Sequence, residues 1–378
     1  MKSNFNNLGN YIRQANSRNK GLKITDLKGI NINKEFMPSV ANINGTDLSK
    51  YKVVRKGQFA FNPMHVGRDE VLPISLWQND DPIIVSPAYV VFDVIDNTLL
   101  DPEYLMMWCR RSEFDRNCWF TTDSSVRGGL AWDDFCELKI KIVSMENQKK
   151  VVSEYNKIKN RMNNNIQLIA CLESILISYF NKVFSDFLSL QDDTDSTELS
   201  YYIDFNPTES IKRESLTKYI EMSDIQQNQM NITGLISRPY TSGSKFRNGD
   251  TLLARITPCM ENGKVAYVNQ LDNDEVGFGS TEFIVMRPTA NGSKYFNYCL
   301  SRNEFFRSYA ISSMSGSDGR LRVQHEYLKV FPLKKIPEQT IKDFDRIAAI
   351  FFTSIEKYSK ENNILKEILN NILSKLAA

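Results

Sequence analysis

The sequence predicts an α+β chain: two β-rich domains in tandem, each followed by a long helix, with the two helices pairing as an antiparallel coiled coil. Three observations predict it. The chain resembles itself at an offset of roughly 190 to 195 residues, about half its length of 378. Two tracts carry apolar residues at heptad spacing, and a polar, acidic stretch parts the halves.

The repeat is read from short segments that recur in one order. Lys56-Gly-Gln-Phe-Ala-Phe-Asn-Pro-Met64 parallels Asn248-Gly-Asp-Thr-Leu-Leu-Ala-Arg-Ile256, and Ser86-Pro-Ala-Tyr-Val-Val-Phe92 parallels Ser280-Thr-Glu-Phe-Ile-Val-Met286. Arg111-Ser-Glu-Phe114 parallels Arg302-Asn-Glu-Phe305, and Ser125-Val-Arg-Gly-Gly-Leu130 sits where Gly316-Ser-Asp-Gly-Arg-Leu321 sits in the second half. The boundaries that follow are a first domain over 1–143, a helix over 144–188, an acidic linker over 189–200, a second domain over 201–335 and a closing helix over 336–378.

The helical tracts justify the coiled coil. Val151, Tyr155, Ile158, Met162, Asn165, Ile169, Leu172, Leu176, Tyr179 and Val183 follow an unbroken 4-3 spacing. Ile341, Phe344, Ala348, Phe351, Ile355, Tyr358, Asn362, Leu365, Leu369, Ile372 and Leu376 follow a 3-4 spacing. Each stripe is apolar but for one asparagine. Two separate amphipathic helices would not need so long a heptad, whereas a coiled coil does. Placing Val151 opposite Leu376 in an antiparallel pair matches every layer and brings Asn165 opposite Asn362. Such a pair would pin the register, because a slip buries an unpaired amide at a cost of roughly 1–3 kcal/mol. At 1.5 Å per residue the matched span makes a rod near 50 Å.

Composition narrows the function. With 42% apolar and 24% charged residues the chain is globular, and a net charge of +2 leaves any basic surface local. Six scattered cysteines without a C-x-x-C pair, and only two histidines, argue against zinc and for reduced, buried thiols. The start MKSNFNNLGNYIRQ lacks a signal peptide's apolar run, no stretch approaches a membrane span, and the cytoplasm is the expected compartment. Enzymatic motifs are missing. There is no G-x-x-x-x-G-K-[ST] loop, Gly277-Phe-Gly279 alone is weak, and Asn62-Pro63-Met64 lacks the second proline and aromatic of a base methyltransferase. No catalytic residue, metal or bound cofactor is expected.

The strand ends are unusual. The hairpin Thr251–Val268 needs only Asn262-Gly263 to turn, yet it carries Arg255, Thr257 and Lys264. Its counterpart Phe59–Glu70 carries His65 and Arg68. The later loops repeat the chemistry with Ser125 and Arg127, then Ser317, Arg320 and Arg322, and Lys245 lies beside the second hairpin. Arg donates two bonds to guanine, Ser and Thr serve any base, and glycine lets backbone amides approach phosphate. Four loops of one composition, two per repeat, point to a shared polyanion.

Gly249-Asp-Thr-Leu-Leu-Ala-Arg-Ile-Thr-Pro258 with Gly279-Ser-Thr-Glu-Phe283, Tyr51–Met64 with Ser86–Phe92, and the two closing helices resemble a specificity subunit of a type I restriction-modification system over essentially the whole chain. The resemblance implies two target-recognition domains joined by antiparallel spacer helices and no catalytic site. It further implies a bipartite target in double-stranded DNA, two modification (methyltransferase) subunits as partners, and restriction/translocase subunits in the full complex. S-adenosylmethionine would belong to the partners, which methylate adenine N6. The opposing reading is a coiled-coil scaffold whose domains bind protein; it shares the helices but needs no paired basic loops.

Overall fold

A computed structural model describes residues 5–39, 45–122, 129–188, 196–316 and 319–377. The chain packs as two compact units, Met1–Met162 with Ile364–Ala378, and Asn163–Asn363. Both long helices, Met145–Leu188 and Glu338–Lys375, contribute to each unit.

Each unit is built on a four-stranded antiparallel sheet of the same order. In the first it runs Ile12–Gln14, Val90–Val94, Phe59–Phe61, Ile74–Leu76. In the second it runs Ile203–Phe205, Phe283–Pro288, Thr251–Ala254, Val265–Tyr267. The inner strands Phe59–Phe61 and Thr251–Ala254 are buried on both faces, so they read as continuous apolar runs and not as alternation. The likeness extends to single hydrogen bonds. Gly57 and Gly249 take φ values of 81° and 94° at matching turns, a region that glycine enters without Cβ strain. Their amides donate to Trp77 O and Val268 O, each at 2.8 Å. Three helices follow each sheet: Pro102–Cys109, Ser112–Thr121 and Trp132–Glu137, then Lys294–Arg302, Glu304–Ser312 and His325–Lys329. The first of each trio is capped by an oxygen side chain, Asp101 or Ser293, that accepts from two backbone amides.

The units differ in their second layer. In the second unit Ile236–Pro239, Leu216–Ile220, Gly277–Gly279 and Ser244–Phe246 form another four-stranded sheet. The first unit has two separate pairs there, Lys28–Ile30 with Phe36–Pro38 and Lys52–Val54 with Ile83–Val85. Gly277 and Gly279 belong to this sheet's packing. A Cβ on either would lie 2.5 Å from the Phe246 ring or 2.7 Å from Ile220 O.

The long helices pair antiparallel, as the heptads predict. In the first unit Tyr155, Ile158 and Met162 share one core with Leu369, Ile372 and Leu376. In the second, Ile169, Leu172, Leu176, Tyr179 and Val183 share one with Phe344, Ala348, Phe351, Ile355 and Tyr358. Asn165 is fully buried, and its Nδ2 donates to Asn362 Oδ1 at 3.0 Å; its own Oδ1 has no partner among the described residues. The buried face is wider than the heptad stripe. Phe180 and Phe184 lie outside the stripe and are fully buried against Phe296 of the domain. Glu173, also outside it, is buried and accepts from Met230 N at 2.7 Å, Arg302 Nη1 at 3.0 Å and Tyr298 OH at 3.3 Å. That carboxylate fastens the helix to the second domain.

Three expectations need adjusting. Residues 189–195 of the acidic stretch lie outside the described residues, but Ser196–Glu198 is a strand paired with Pro332–Lys334. A stretch does approach a membrane span: an 18-residue window of Met145–Leu188 reaches a mean hydropathy of 1.4, enough by length and composition alone to cross a membrane. Its apolarity has another use here, since the same helix feeds the seam and the domain cores. Not every thiol is buried either: Cys171 is exposed on that helix, whereas Cys109, Cys118 and Cys299 are buried and burial pushes their thiols well up, that of Cys109 to about 12.

One buried ionic latch stands out in the second domain. Asp250, 1% exposed, accepts from Arg247 N at 2.7 Å and from Arg287 Nε and Nη2 at 2.8 and 2.7 Å. Glu209 accepts from Arg247 Nε at 2.6 Å and Nη2 at 3.0 Å and from Arg287 Nη1 at 2.6 Å. The first unit keeps the turn but changes the charges: Arg55 N donates to Gln58 Oε1 at 2.9 Å, and Gln58 Nε2 to Asp93 Oδ2 at 3.2 Å.

Two outcomes follow for stability. Asn362→Ala strands the Asn165 amide in the seam and is expected to cost about 1–3 kcal/mol in denaturant unfolding, whereas replacing both asparagines by valine should be neutral or stabilising. Equal losses in the two variants would dismiss the pair. Glu209 titrates low, at about 2, chiefly because Arg247 and then Arg287 bind its carboxylate. A depressed carboxylate stabilises the fold above its unfolded value of 4.5 and loses that contribution as pH falls toward about 2. Glu209→Gln should therefore start less stable at neutral pH and lose less between pH 4.5 and 2; thermal unfolding across that range checks it, and parallel curves for the two proteins would contradict it. Burial pushes the Asp250 carboxyl the other way, so it does not supply this acid sensitivity.

Candidate nucleic-acid interface

In the second domain the sheet ends in a polar edge. Leu253 pairs with Val265, and beyond Ala254 the chain leaves the sheet at Arg255. Arg255 keeps two backbone bonds, its N donating to Glu282 O at 2.9 Å and its O accepting from Val323 N at 2.8 Å. These bonds join the hairpin to the turn 280–282 and to the loop 319–323. Thr257 strengthens the second junction: its N donates to Leu321 O at 3.0 Å, and its Oγ1 donates to Gly319 O at 2.8 Å while accepting from Leu321 N at 3.2 Å. Two segments distant in sequence, braced by the turn 280–282, thus bring Arg255 and Thr257 beside the loop that carries Arg320 and Arg322.

The turn holds one of these arginines. Phe283 N donates to Ser280 O at 3.2 Å, Ser280 Oγ accepts from Glu282 N at 3.2 Å, and the buried Phe283 anchors the turn in the core. Glu282 then accepts from Arg322 Nε at 3.0 Å and Nη2 at 2.8 Å. Gly279-Ser-Thr-Glu-Phe283 is thereby a structural clasp for Arg322. Arg320, near it on the same loop, is exposed.

Arg255 differs from the other half-buried arginines of this domain. Its guanidinium has no hydrogen bond or carboxylate among the described residues, and its Nε is buried without a partner. It lines a cleft of about 280 Å³ with Lys245, Glu209, Thr208 and Thr281. The Lys245 ammonium donates to Glu209 O at 2.6 Å and sits 5.4 Å from the Tyr240 ring. Lys264 does not join this group: its Nζ donates to Met222 O at 2.8 Å, and it bridges Gln227, bracing the hairpin against another loop. Arg307, absent from the sequence candidates, braces it too, donating to Glu261 O at 2.8 Å.

The first domain repeats the framework with other side chains. Leu130 N donates to Pro63 O at 3.1 Å, the counterpart of Val323 N to Arg255 O, so the later loop again returns to the strand end. Asn62 Oδ1 accepts from Met64 N at 3.0 Å and caps the short turn Pro63–His65, a structural use of Asn62-Pro63-Met64. His65 and Arg68 belong to this turn and the helix Val66–Asp69. Ser125 and Arg127, like Ser317, lie outside the described residues. Met64, 54% exposed, belongs to this turn too, a large apolar group that a search for basic residues passes over. Among the described residues no group of three or more His, Cys, Asp or Glu is arranged to hold a metal.

No protein-family model matches the chain. Over 118 residues it is 36% identical to the type I restriction enzyme EcoAI specificity subunit of Escherichia coli, covering 31% of this chain and 19% of that protein. Over 101 residues it is 34% identical to the EcoEI specificity subunit, covering 26% and 16%. The chain thus spans about a fifth of the length of the curated relatives it matches. In fold it is similar to the S subunit of a type I restriction-modification system from M. genitalium, with a TM-score of 0.55 over 98% of this chain and 95% of that one at 14% identity. In sequence over part of its length, and in fold over nearly all of it, the chain resembles type I restriction specificity subunits.

Proposed function

We propose that the chain is a non-catalytic DNA-recognition subunit that reads a bipartite site in double-stranded DNA. It would position two methyltransferase subunits for adenine N6 methylation, and restriction/translocase subunits for cleavage, in the cytoplasm. S-adenosylmethionine would be bound by the methyltransferases. The observation that carries this reading is the duplicated edge. In both units a glycine-bearing loop returns by a backbone bond to the end of an inner strand, Leu130 to Pro63 and Val323 to Arg255, and basic candidates ride on those segments. A protein-binding scaffold has no need of one strand-end framework built twice, and the relatives named above are specificity subunits.

The two edges carry different residues on one framework, which is what independent half-site readers need. The helix pair would fix the half-sites' spacing, with an unread gap of about half a dozen base pairs on one face of the duplex.

Two results would test this. Methylome sequencing of a host with and without the gene should reveal a split adenine-methylated motif that disappears with it; an unchanged methylome would reject the reading. Exchanging residues 209–330 for the matching domain of a related protein should alter one half of that motif only. Simultaneous change of both halves would contradict independent readers.

A further inference from the structure

The second domain's polar edge contains two kinds of cation, and their surroundings separate them. Arg320 is exposed on the loop 319–323. Arg255 and Lys245 are half-buried in the walls of the cleft. A side chain that reads base edges has to project into a groove. A recessed cation reaches only what enters its recess.

The cleft's chemistry is that of an oxyanion seat. Its one carboxylate, Glu209, is already bound by Arg247 and Arg287. The cleft is lined by two cations, Lys245 and Arg255, and the latch that adjoins it through Glu209 holds Arg247 and Arg287 against the two carboxylates Glu209 and Asp250. A metal cation would meet excess positive charge there, whereas an anion meets it as attraction. Donors are to hand: the Arg255 guanidinium has no acceptor among the described residues, Lys245 spends one N–H on Glu209 O, and Thr208 and Thr281 bring exposed hydroxyls. The walls offer no flat apolar pair between which a flipped base would stack.

We infer that this cleft seats a phosphodiester group of the DNA backbone, with Arg255 and Lys245 as its donors, while the exposed Arg320 reads bases; this rests on the DNA-recognition reading above. Among the described residues the seat has no counterpart in the first domain, where Pro63, which has no side-chain donor, occupies the position of Arg255. The two domains therefore hold the backbone differently on the same framework. A phosphate contact fixes how the domain sits on the duplex and carries no sequence information.

The test compares three variants of the full chain in complex with its methyltransferase subunits, binding two duplexes: one with the methylated motif found by sequencing, one with it scrambled. Arg255→Ala is expected to weaken both by the same factor, about tenfold. It should also lower the log-log salt slope by about 0.9, so that affinity changes about threefold less between 50 and 200 mM salt. Thr281→Asp, an exposed change that places a negative charge at the cleft mouth, should likewise weaken both duplexes and guards against misfolding of the first variant. Arg320→Ala should weaken the motif duplex more than the scrambled one. Loss confined to the motif duplex in Arg255→Ala, or unchanged salt slopes in both cleft variants, would overturn the seat. Failure of the wild-type complex to bind either duplex would instead reject the DNA reading itself.

Discussion

Everything in this fold rests on two apolar helix faces that cannot stand in water. A heptad stripe maintained over more than thirty residues exposes a continuous hydrophobic seam unless a second one covers it. Here each helix covers the other, antiparallel, and each also serves as a wall for the domain beside it. The buried Asn165–Asn362 bond is the polar exception in that seam. An apolar seam alone tolerates slippage by a heptad; an amide pair penalises it, since any other register leaves both groups unbonded.

The domains meet the same demand in another way. A sheet whose inner strands are buried on both faces must be covered on both sides, and each unit does so with its short helices and the long helices on one face and its second layer on the other. Glu173 shows how this shapes electrostatics. Its burial raises its carboxyl despite the Arg302 guanidinium, so a charge hidden in the core has to be held by three donors at once. The cost of burying it is offset only while Met230, Tyr298 and Arg302 remain in place, which ties the helix to one orientation against the domain.

Function is carried by what the framework leaves free. Most of Gly249-Asp-Thr-Leu-Leu-Ala is structural: a glycine turn, a buried aspartate latch and a central strand. The same holds for Gly279-Ser-Thr-Glu-Phe283, which anchors a turn and clasps Arg322. These two motifs therefore mark the scaffold that presents the edge, and the edge is completed by residues outside them. That division lets the loops diverge between the two repeats without unravelling the sheets beneath them.

The sequence by itself determined the fold class, the tandem repeat and the two helical seams, because each is written in periodicity. Heptads of period 3.5 and two copies of one strand order survive as patterns along the chain. Which side chains face a partner was decided only in three dimensions. Arg255 and Lys264 lie nine positions apart on one hairpin, yet one lines an open cleft and the other is spent on Met222 O. Thr208, Thr281 and Glu282 enter the edge from segments that composition does not connect to it. The breadth of the helices' buried face was hidden likewise, since Phe180, Phe184 and Glu173 fall outside the seam and are buried by the domain. A pattern along the chain records what an element needs of its immediate partner; long-range hydrogen bonds and packing decide what each exposed or buried group finally meets.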